Sequence, residues 1–163
     1  MPCPYFGTGR MNTGLSNITK GKIGELEVIK TLLSWGLEVY IAAVDEKHTD
    51  ILIRRETMRR PYLRIQVKTR FSDGEFQLDK YPNKEDFWFV FVLVDNDEVI
   101  NHWIIPATKL NSKECKEYLK SNGKAIRLAG KEKKNWYFNL QGTKYFGLES
   151  LKEWSQGKNV KFD

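Results

Sequence analysis

The chain has 163 residues, a mass of 19.1 kDa and a formal net charge of +6 at pH 7. This length predicts a single domain with a sizeable core, and the two cysteines, Cys3 and Cys115, lack the spacing of a disulfide framework or a structural zinc site. No apolar run has membrane-spanning length, and the first twenty residues lack the apolar centre of a signal peptide, so we expect a soluble, intracellular, cytoplasmic protein.

The first elements are a polar arm, a helix and a strand. Residues 1–20 are rich in Gly, Asn, Thr and Pro without a hydrophobic period, which predicts a flexible basic N-terminal arm. An apolar helical period then runs from about Lys22 to Trp35, and Gly36 is placed to end that helix. A strand over Leu37–Ala43 is expected to follow at once.

One acid lies on the apolar side of this predicted helix. Six apolar side chains gather into one arc: Ile23, Leu26, Val28, Ile29, Leu32 and Leu33. Glu25 falls inside the arc, whereas Glu27 falls outside it. A buried carboxylate is costly to desolvate unless it meets a cation, a metal or hydrogen-bond donors. Glu25 is therefore a candidate metal ligand; the alternative is that it lies at the edge of the arc and reaches solvent or pairs with a lysine.

Two strands come next, joined by a basic turn. The first strand runs over Asp50–Arg54 and the second over Leu63–Thr69. Strict alternation in the second strand sends Leu63, Ile65 and Val67 to one face of the sheet, and Arg64, Gln66 and Lys68 to the other. The connection over Glu56–Pro61 reads as a hairpin tip.

The most apolar strand lies downstream. Phe87–Val94 is continuously apolar and rich in β-forming residues, which predicts a strand buried on both faces at the centre of a sheet. The other predicted elements are a short run at Phe76–Leu78, a strand over Val99–Pro106, a helix from Asn111 or Ser112 to about Lys120, one or two short strands within 124–148, and a closing helix over Leu148–Gln156. We therefore predict an α/β fold in one domain over 21–163, with a central mixed β-sheet flanked by helices, a core of about 21–109 and a C-terminal extension over 110–163.

Asp50, Gln66 and Lys68 form the chemically suggestive group. Asp50 begins one strand, and Gln66 and Lys68 share a face of the other, so the pattern combines oxygen ligands for a hard divalent cation with a lysine. Hydrolysis of a phosphodiester needs this combination, because the lysine can hold the attacking water or offset the transition-state charge. The group predicts a nuclease.

The charge distribution favours a nucleic-acid partner. Residues 1–70 hold 12 Lys and Arg against 7 Asp and Glu, residues 71–108 hold 2 against 8, and residues 109–163 hold 13 against 6. Basic ends brought to one face would neutralise several phosphates, although such lysines can also simply solvate helices. The predicted DNA-binding residues are Lys20, Lys22, His48, Arg54, Arg55, Arg59, Arg60 and Arg70. For His48 the alternative is a loop histidine without a role.

The order of these segments resembles a known superfamily. The strings that carry the resemblance are Lys20-Gly21-Lys22-Ile23-Gly24-Glu25, Leu37-Glu38-Val39-Tyr40, Asp50-Ile51-Leu52-Ile53 and Ile65-Gln66-Val67-Lys68-Thr69. They resemble the PD-(D/E)XK endonucleases, in particular the small homing enzymes encoded in introns, with a core similar to that of Holliday-junction resolvases. The resemblance covers about Lys20 to Lys109 and implies a restriction-endonuclease-like fold.

The resemblance also implies roles for individual residues. Glu25 corresponds to the first-helix acid, Asp50 to the central metal ligand, Gln66 to the second ligand and Lys68 to the catalytic lysine. Asp50, Gln66 and the backbone carbonyl of Val67 would hold Mg²⁺, with Mn²⁺ as a substitute, and Glu25 would reach the ion directly or through water. Two positions depart from the superfamily pattern: Thr49 stands in place of proline, and Gln66 in place of Glu or Asp, a change that the intron-type branch shares.

These observations predict a metal-dependent, sequence-specific DNA endonuclease of homing or restriction type. Three alternatives remain: a module that binds nucleic acid without cutting it, a structure-specific junction resolvase, and a structural protein in which the acids and Lys68 are only ion-paired. Because cutting both strands normally needs two active sites, we expect a homodimer or homotetramer on double-stranded DNA.

Overall fold

The computed structural model describes residues 14–43, 48–54, 62–71, 75–78, 80–95, 98–113, 115–117, 125–127 and 148–158. The helices are α1 (Asn17–Ser34), α2 (Ala107–Leu110) and α3 (Glu149–Ser155). The strands are β1 (Val39–Ile41), β2 (Ile51–Arg54), β3 (Tyr62–Arg70), β4 (Glu75–Gln77), β5 (Phe87–Asp95), β6 (Glu98–Pro106) and β7 (Ala125–Arg127).

Five of these strands form one mixed sheet in the order β1-β2-β3-β5-β6. Strands β3 and β5 run parallel, and the other three neighbouring pairs run antiparallel. Strands β4 and β7 pair antiparallel as a separate two-stranded sheet. The predicted α/β class, with a central mixed sheet flanked by helices in one domain, is confirmed.

Strand β5 lies between β3 and β6 and is buried on both faces. Trp88, Val90 and Val92 belong to one hydrophobic cluster, whereas Phe89 and Phe91 belong to the other. A strand covered on both sides has no polar face, which explains the unbroken apolar run in the sequence. The predicted burial of this run on both faces is confirmed, but β3 rather than β5 is the middle strand of the five described strands in the sheet.

The two clusters lie on opposite faces of the sheet. On the first face, α1 and α3 cover the sheet with Leu32, Leu151 and Trp154. On the second face, β4, β7 and α2 cover the phenylalanines of β5 with Phe76, Ile126, Leu110 and other apolar side chains. The second face is also the one to which Gln66 and Lys68 belong, because their register partners across the parallel pairing are Phe89 and Phe91.

Helix α1 differs from its prediction in two ways. It begins at Asn17, earlier than Lys22, because the Ser16 hydroxyl accepts a hydrogen bond from the Thr19 amide and caps the helix. Its buried stripe is also narrower than the predicted arc: Leu26 and Leu33 are more than half exposed. A helix lying on a sheet buries only the residues that face the strands, so the side chains at the margins of the arc stay in water.

Other element boundaries can also be compared with their predictions. The second predicted helix is preceded by α2, and residues 113 and 115–117 are helical as well. The φ angle of Gly36 is +75°, in the left-handed region that favours glycine, and it follows the end of α1 as expected. Residues 1–13 of the predicted arm and the hairpin tip at 55–61 lie outside the described residues. No helix in the described ranges is long and apolar enough to span a membrane.

Candidate active site

A notch opens in the sheet where β2 begins. The pairing of β2 with β3 ends at Ile51 opposite Ile65, but β3 continues to Arg70 with β5 as its partner. The side of β3 that faces β2 is therefore uncovered by that strand after Ile65. We call the group formed by Asp50, Gln66, Val67 and Lys68 at this position the notch.

Hydrogen bonds hold Asp50 in the notch. Its backbone amide donates to the Ile65 carbonyl at 2.9 Å, and its carboxylate Oδ2 accepts from the Val67 amide at 2.6 Å. In an extended strand the N–H and C=O groups of one residue point to the same side, so the Val67 carbonyl also faces the notch. An ionised carboxylate and a backbone carbonyl thus lie side by side.

Gln66 and Lys68 flank this pair on the second face of the sheet. Gln66 is 8% exposed, and Lys68 is partly exposed. Their positions follow from the alternation along β3, which leaves Val67 in the first cluster. The structure therefore brings Asp50, Gln66, the Val67 carbonyl and Lys68 together as neighbours.

Glu25 approaches from the other side of the sheet. Helix α1 packs on the face of β3 that carries Val67 and Thr69, so Glu25 can reach the notch only past the edge of β3. Its side chain is 18% exposed and accepts a hydrogen bond from the Lys22 ammonium group. This ion pair with a lysine offsets part of the cost of burying the carboxylate, and the role of Glu25 as a metal ligand stays a prediction.

Gly24 determines how closely α1 approaches β3. A Cβ atom at this position would lie 2.7 Å from Cγ2 and 2.8 Å from Cβ of Thr69. Only glycine allows this approach, which brings the first half of α1 to the end of β3. Glu25 follows directly in the chain, so the same contact determines how far Glu25 stands from the notch.

The predicted DNA-binding residues separate into those near the notch and those away from it. Lys20 lies over the Phe71 ring, 5.8 Å from its centroid, just beyond the end of β3. Lys22 pairs with Glu25 nearby, and Arg70 donates a hydrogen bond to the Glu75 carbonyl at the start of β4. His48, with a φ angle of +60°, lies two residues before Asp50.

Arg54 does not join this group. It lies at the opposite end of β2 from Asp50, and its guanidinium pairs with the Glu38 carboxylate at 3.2 Å. A strand rises about 3.3 Å per residue, so the Cα atoms of Arg54 and Asp50 are roughly 13 Å apart. Arg54 therefore lies away from the notch, at the side of the predicted basic hairpin tip, and its contact with DNA stays a prediction. Arg55, Arg59 and Arg60 lie outside the described residues.

The donor set of the notch fits a magnesium ion better than a transition metal. Within the described ranges, no group of three or more His, Cys, Asp or Glu side chains could hold a metal. The notch offers one carboxylate, one amide oxygen and one carbonyl oxygen, all hard ligands. Mg²⁺ commonly binds through one or two carboxylates and keeps several waters, so this incomplete shell suits it.

Sequence reasoning missed a basic cavity beside the notch. Its lining residues are His48, Arg64, Lys80, Tyr81, Pro82 and Lys84. Arg64 could have been found, because the alternation of β3 places it on the same face as Gln66 and Lys68. Lys80 and Lys84 lie in an irregular segment without periodicity, so no sequence signal connects them to Asp50.

Comparison with known proteins gives a likeness of fold. No protein-family model matches the chain, and no curated protein matches it. The solved structures include a bacterial homing endonuclease, I-Ssp6803I, which superimposes with a TM-score of 0.50 at 24% sequence identity. The match covers 72% of this chain and 79% of that chain. The chain therefore has the α/β fold of that structure.

Proposed function

We propose that the protein is a magnesium-dependent endonuclease that hydrolyses phosphodiester bonds in double-stranded DNA, of the PD-(D/E)XK type. The observation that carries the proposal is the Asp50 carboxylate held at the Val67 amide, between Gln66 and Lys68. The fold shared with a bacterial homing endonuclease supports it, and within this class we favour a homing or restriction-type enzyme that recognises a defined duplex site.

Each residue of the notch has a distinct task in this mechanism. Asp50, the amide oxygen of Gln66 and the Val67 carbonyl would hold Mg²⁺ (or Mn²⁺), with Glu25 reaching it directly or through water. The ion supplies Lewis-acid polarisation of the phosphate and a water of lowered pKa. Lys68 donates hydrogen bonds that orient the attacking water and offset the negative charge that develops on the phosphate oxygens.

The surroundings of the notch favour a polyanionic substrate. Lys20 and Lys22 lie at the start of α1, and Arg70 lies at the end of β3, so cations border the notch where a DNA strand would pass. Such contacts orient the duplex without reading its sequence. Cutting both strands requires two notches, so the active form would be a homodimer or homotetramer on its site.

A module that binds DNA without cutting it is the second candidate. One observation favours it: the Glu25 carboxylate is engaged by Lys22, which leaves Asp50 as the acid held directly in the notch. In that case Lys68 would anchor a phosphate and no metal would be needed. A junction resolvase would differ instead in its substrate, preferring four-way junctions to duplex DNA.

The decisive experiment incubates the protein with supercoiled plasmid and Mg²⁺, with EDTA or Ca²⁺ as the inactive conditions. Asp50→Asn keeps an oxygen to accept the Val67 hydrogen bond but removes the charge, so the fold should persist while cleavage is lost. Lys68→Ala should lower the cleavage rate by about 10²–10³-fold, the usual cost of removing a group that stabilises transition-state charge.

The control is Lys30→Gln, which removes one positive charge from an exposed position on α1 where Lys30 pairs with Glu27. This variant should cleave at the wild-type rate. Near-normal turnover by Asp50→Asn would show that the metal site lies elsewhere. A wild-type protein that binds the plasmid but never nicks it would establish the binding module. Sequencing the ends cut from a random DNA library then reports specificity and symmetry.

A further inference from the structure

The basic cavity beside the notch has features of an anion site. It is a shallow depression open to solvent, with a volume of about 430 Å³, and the described residues that border it are His48, Arg64, Lys80, Tyr81, Pro82 and Lys84. Lys80 and Lys84 are exposed, whereas His48 and Tyr81 are partly buried. The charged ends of Lys80 and Lys84 therefore lie at the rim of a concave surface, and the Tyr81 ring forms part of its wall.

Two lining residues determine where this cavity lies relative to the notch. His48 precedes Asp50 by two residues in the chain. Arg64 precedes Gln66 by two residues on the same face of β3, so their Cα atoms lie about 7 Å apart. The cavity is thus a direct neighbour of the notch along the strand, on the face that carries Lys68.

The described side chains that line the cavity are basic. Arg64 donates to the Asp86 carboxylate at 3.0 Å and lies 5.6 Å from the centroid of the Phe87 ring, so its guanidinium is held in place. Its Nε atom is buried without a hydrogen-bond partner among the described residues. Lys80 and Lys84 add two positive charges to the described lining, whereas Glu85, which follows Lys84 in the chain, is exposed and is not among the described lining residues.

The Tyr81 side chain in the wall of the cavity also suits an anion. The Tyr81 ring meets Phe89 edge-on at 4.9 Å, which fixes its orientation. Burial raises the pKa of Tyr81 to about 12, so its hydroxyl remains a neutral donor and adds no negative charge at neutral pH. A phosphodiester finds cations and neutral donors here, which is the chemistry of a backbone-phosphate contact.

We propose that this cavity is a phosphate subsite, which binds a backbone phosphate of the DNA strand next to the phosphate in the notch. The proposal rests on the proposed function for the identity of the substrate. Lys80 and Lys84 neutralise the bound phosphate, Arg64 forms the floor, and together they hold the strand so that the scissile phosphate meets Asp50 and Lys68.

The test is the salt dependence of binding to a 40-base-pair duplex in Ca²⁺, which separates binding from cleavage. The double variant Lys80→Gln and Lys84→Gln should flatten the plot of log affinity against log salt concentration by about one unit, since the single phosphate contact that it removes contributes about 0.9. Lys30→Gln, on the opposite side of the sheet, should leave the slope unchanged. Thermal melting of both variants should match wild type, because the substituted side chains are exposed.

Each outcome has a definite meaning. A double variant with the slope of Lys30→Gln overturns the subsite, even if the wild-type protein cleaves plasmid. A loss of affinity at constant slope also overturns it, because the cavity would then hold a base or sugar. A flattened slope in a protein that never cleaves supports the subsite and refutes the endonuclease instead.

Discussion

Gly24→Ala tests whether the contact between α1 and β3 is as close as the structure shows. An alanine Cβ would lie 2.7 Å from Cγ2 of Thr69, closer still to Oγ1, and 2.8 Å from Cβ. Rotation of Thr69 about χ1 cannot relieve the contact with Cβ, which is fixed to the backbone of β3. Helix α1 would therefore have to retreat by at least about 0.6 Å to restore ordinary van der Waals separation.

The expected cost follows from two opposing terms. Overpacking of this kind costs about 1–3 kcal/mol, and the better helix propensity of alanine returns up to about 1 kcal/mol. The net loss of unfolding free energy should be roughly 1–2 kcal/mol, which lowers the Tm of a chain of this length by about 3–6 °C. Calorimetry or denaturant titration measures it.

Gly21→Ala is the matched control on the same helix. Nothing lies within 4 Å of a Cβ built at Gly21, so this variant should gain stability from helix propensity alone. The double variant Gly24→Ala with Thr69→Ala removes two of the three clashing atoms but keeps Cβ of residue 69, so it should recover only part of the loss. If Gly24→Ala were as stable as Gly21→Ala, the close approach of α1 to β3 would be refuted.

The Gly24→Ala variant also tests whether the packing of α1 against β3 affects the cleavage rate. A retreat of α1 carries Glu25 away from the notch, and a misplacement of about 1 Å can cost up to about 10²-fold in rate. At a temperature well below the Tm, the cleavage rate of Gly24→Ala should fall by more than the fraction of folded protein falls. Equal rates for the Gly24 and Gly21 variants would exclude a positional role for Glu25.

The remaining predictions concern metal affinity and alkaline pH. Gln66→Glu should cleave DNA at a lower Mg²⁺ concentration than wild type, and added Mg²⁺ should raise its Tm by more, because a buried carboxylate needs a cation. Gln66→Leu should lose activity. Equal half-maximal Mg²⁺ for wild type and both variants would show that Gln66 is not a ligand. Burial raises the pKa of Cys115 from 9.0 to about 12, so the stability that depends on its neutral thiol is fully present below pH 9 and is lost as pH rises toward 12. Roughly 1 kcal/mol should be lost by pH 10, and Cys115→Ala should show a shallower decline between pH 8 and 10 in denaturant titrations.

Local periodicity was enough to predict the central strands and part of the notch. The unbroken apolar run of β5 requires burial on both faces, and the alternation of β3 places Gln66 and Lys68 on one face whatever surrounds them. These features depend on backbone geometry within one segment, which the order of residues determines directly. Gln66 and Lys68 were therefore available before any fold was known, whereas the role of the Val67 carbonyl was implied only by the family resemblance.

Tertiary structure alone decided which segments meet and how closely. The parallel pairing of β3 with β5 and the meeting of Lys80 with Arg64 both join residues that are far apart in sequence or lie in irregular segments. Lys22 and Glu25 pair within α1 as residues i and i+3, but how far Glu25 stands from the notch depends on the docking of α1 through Gly24. Such contacts arise from packing between elements, and no periodicity within one element encodes them.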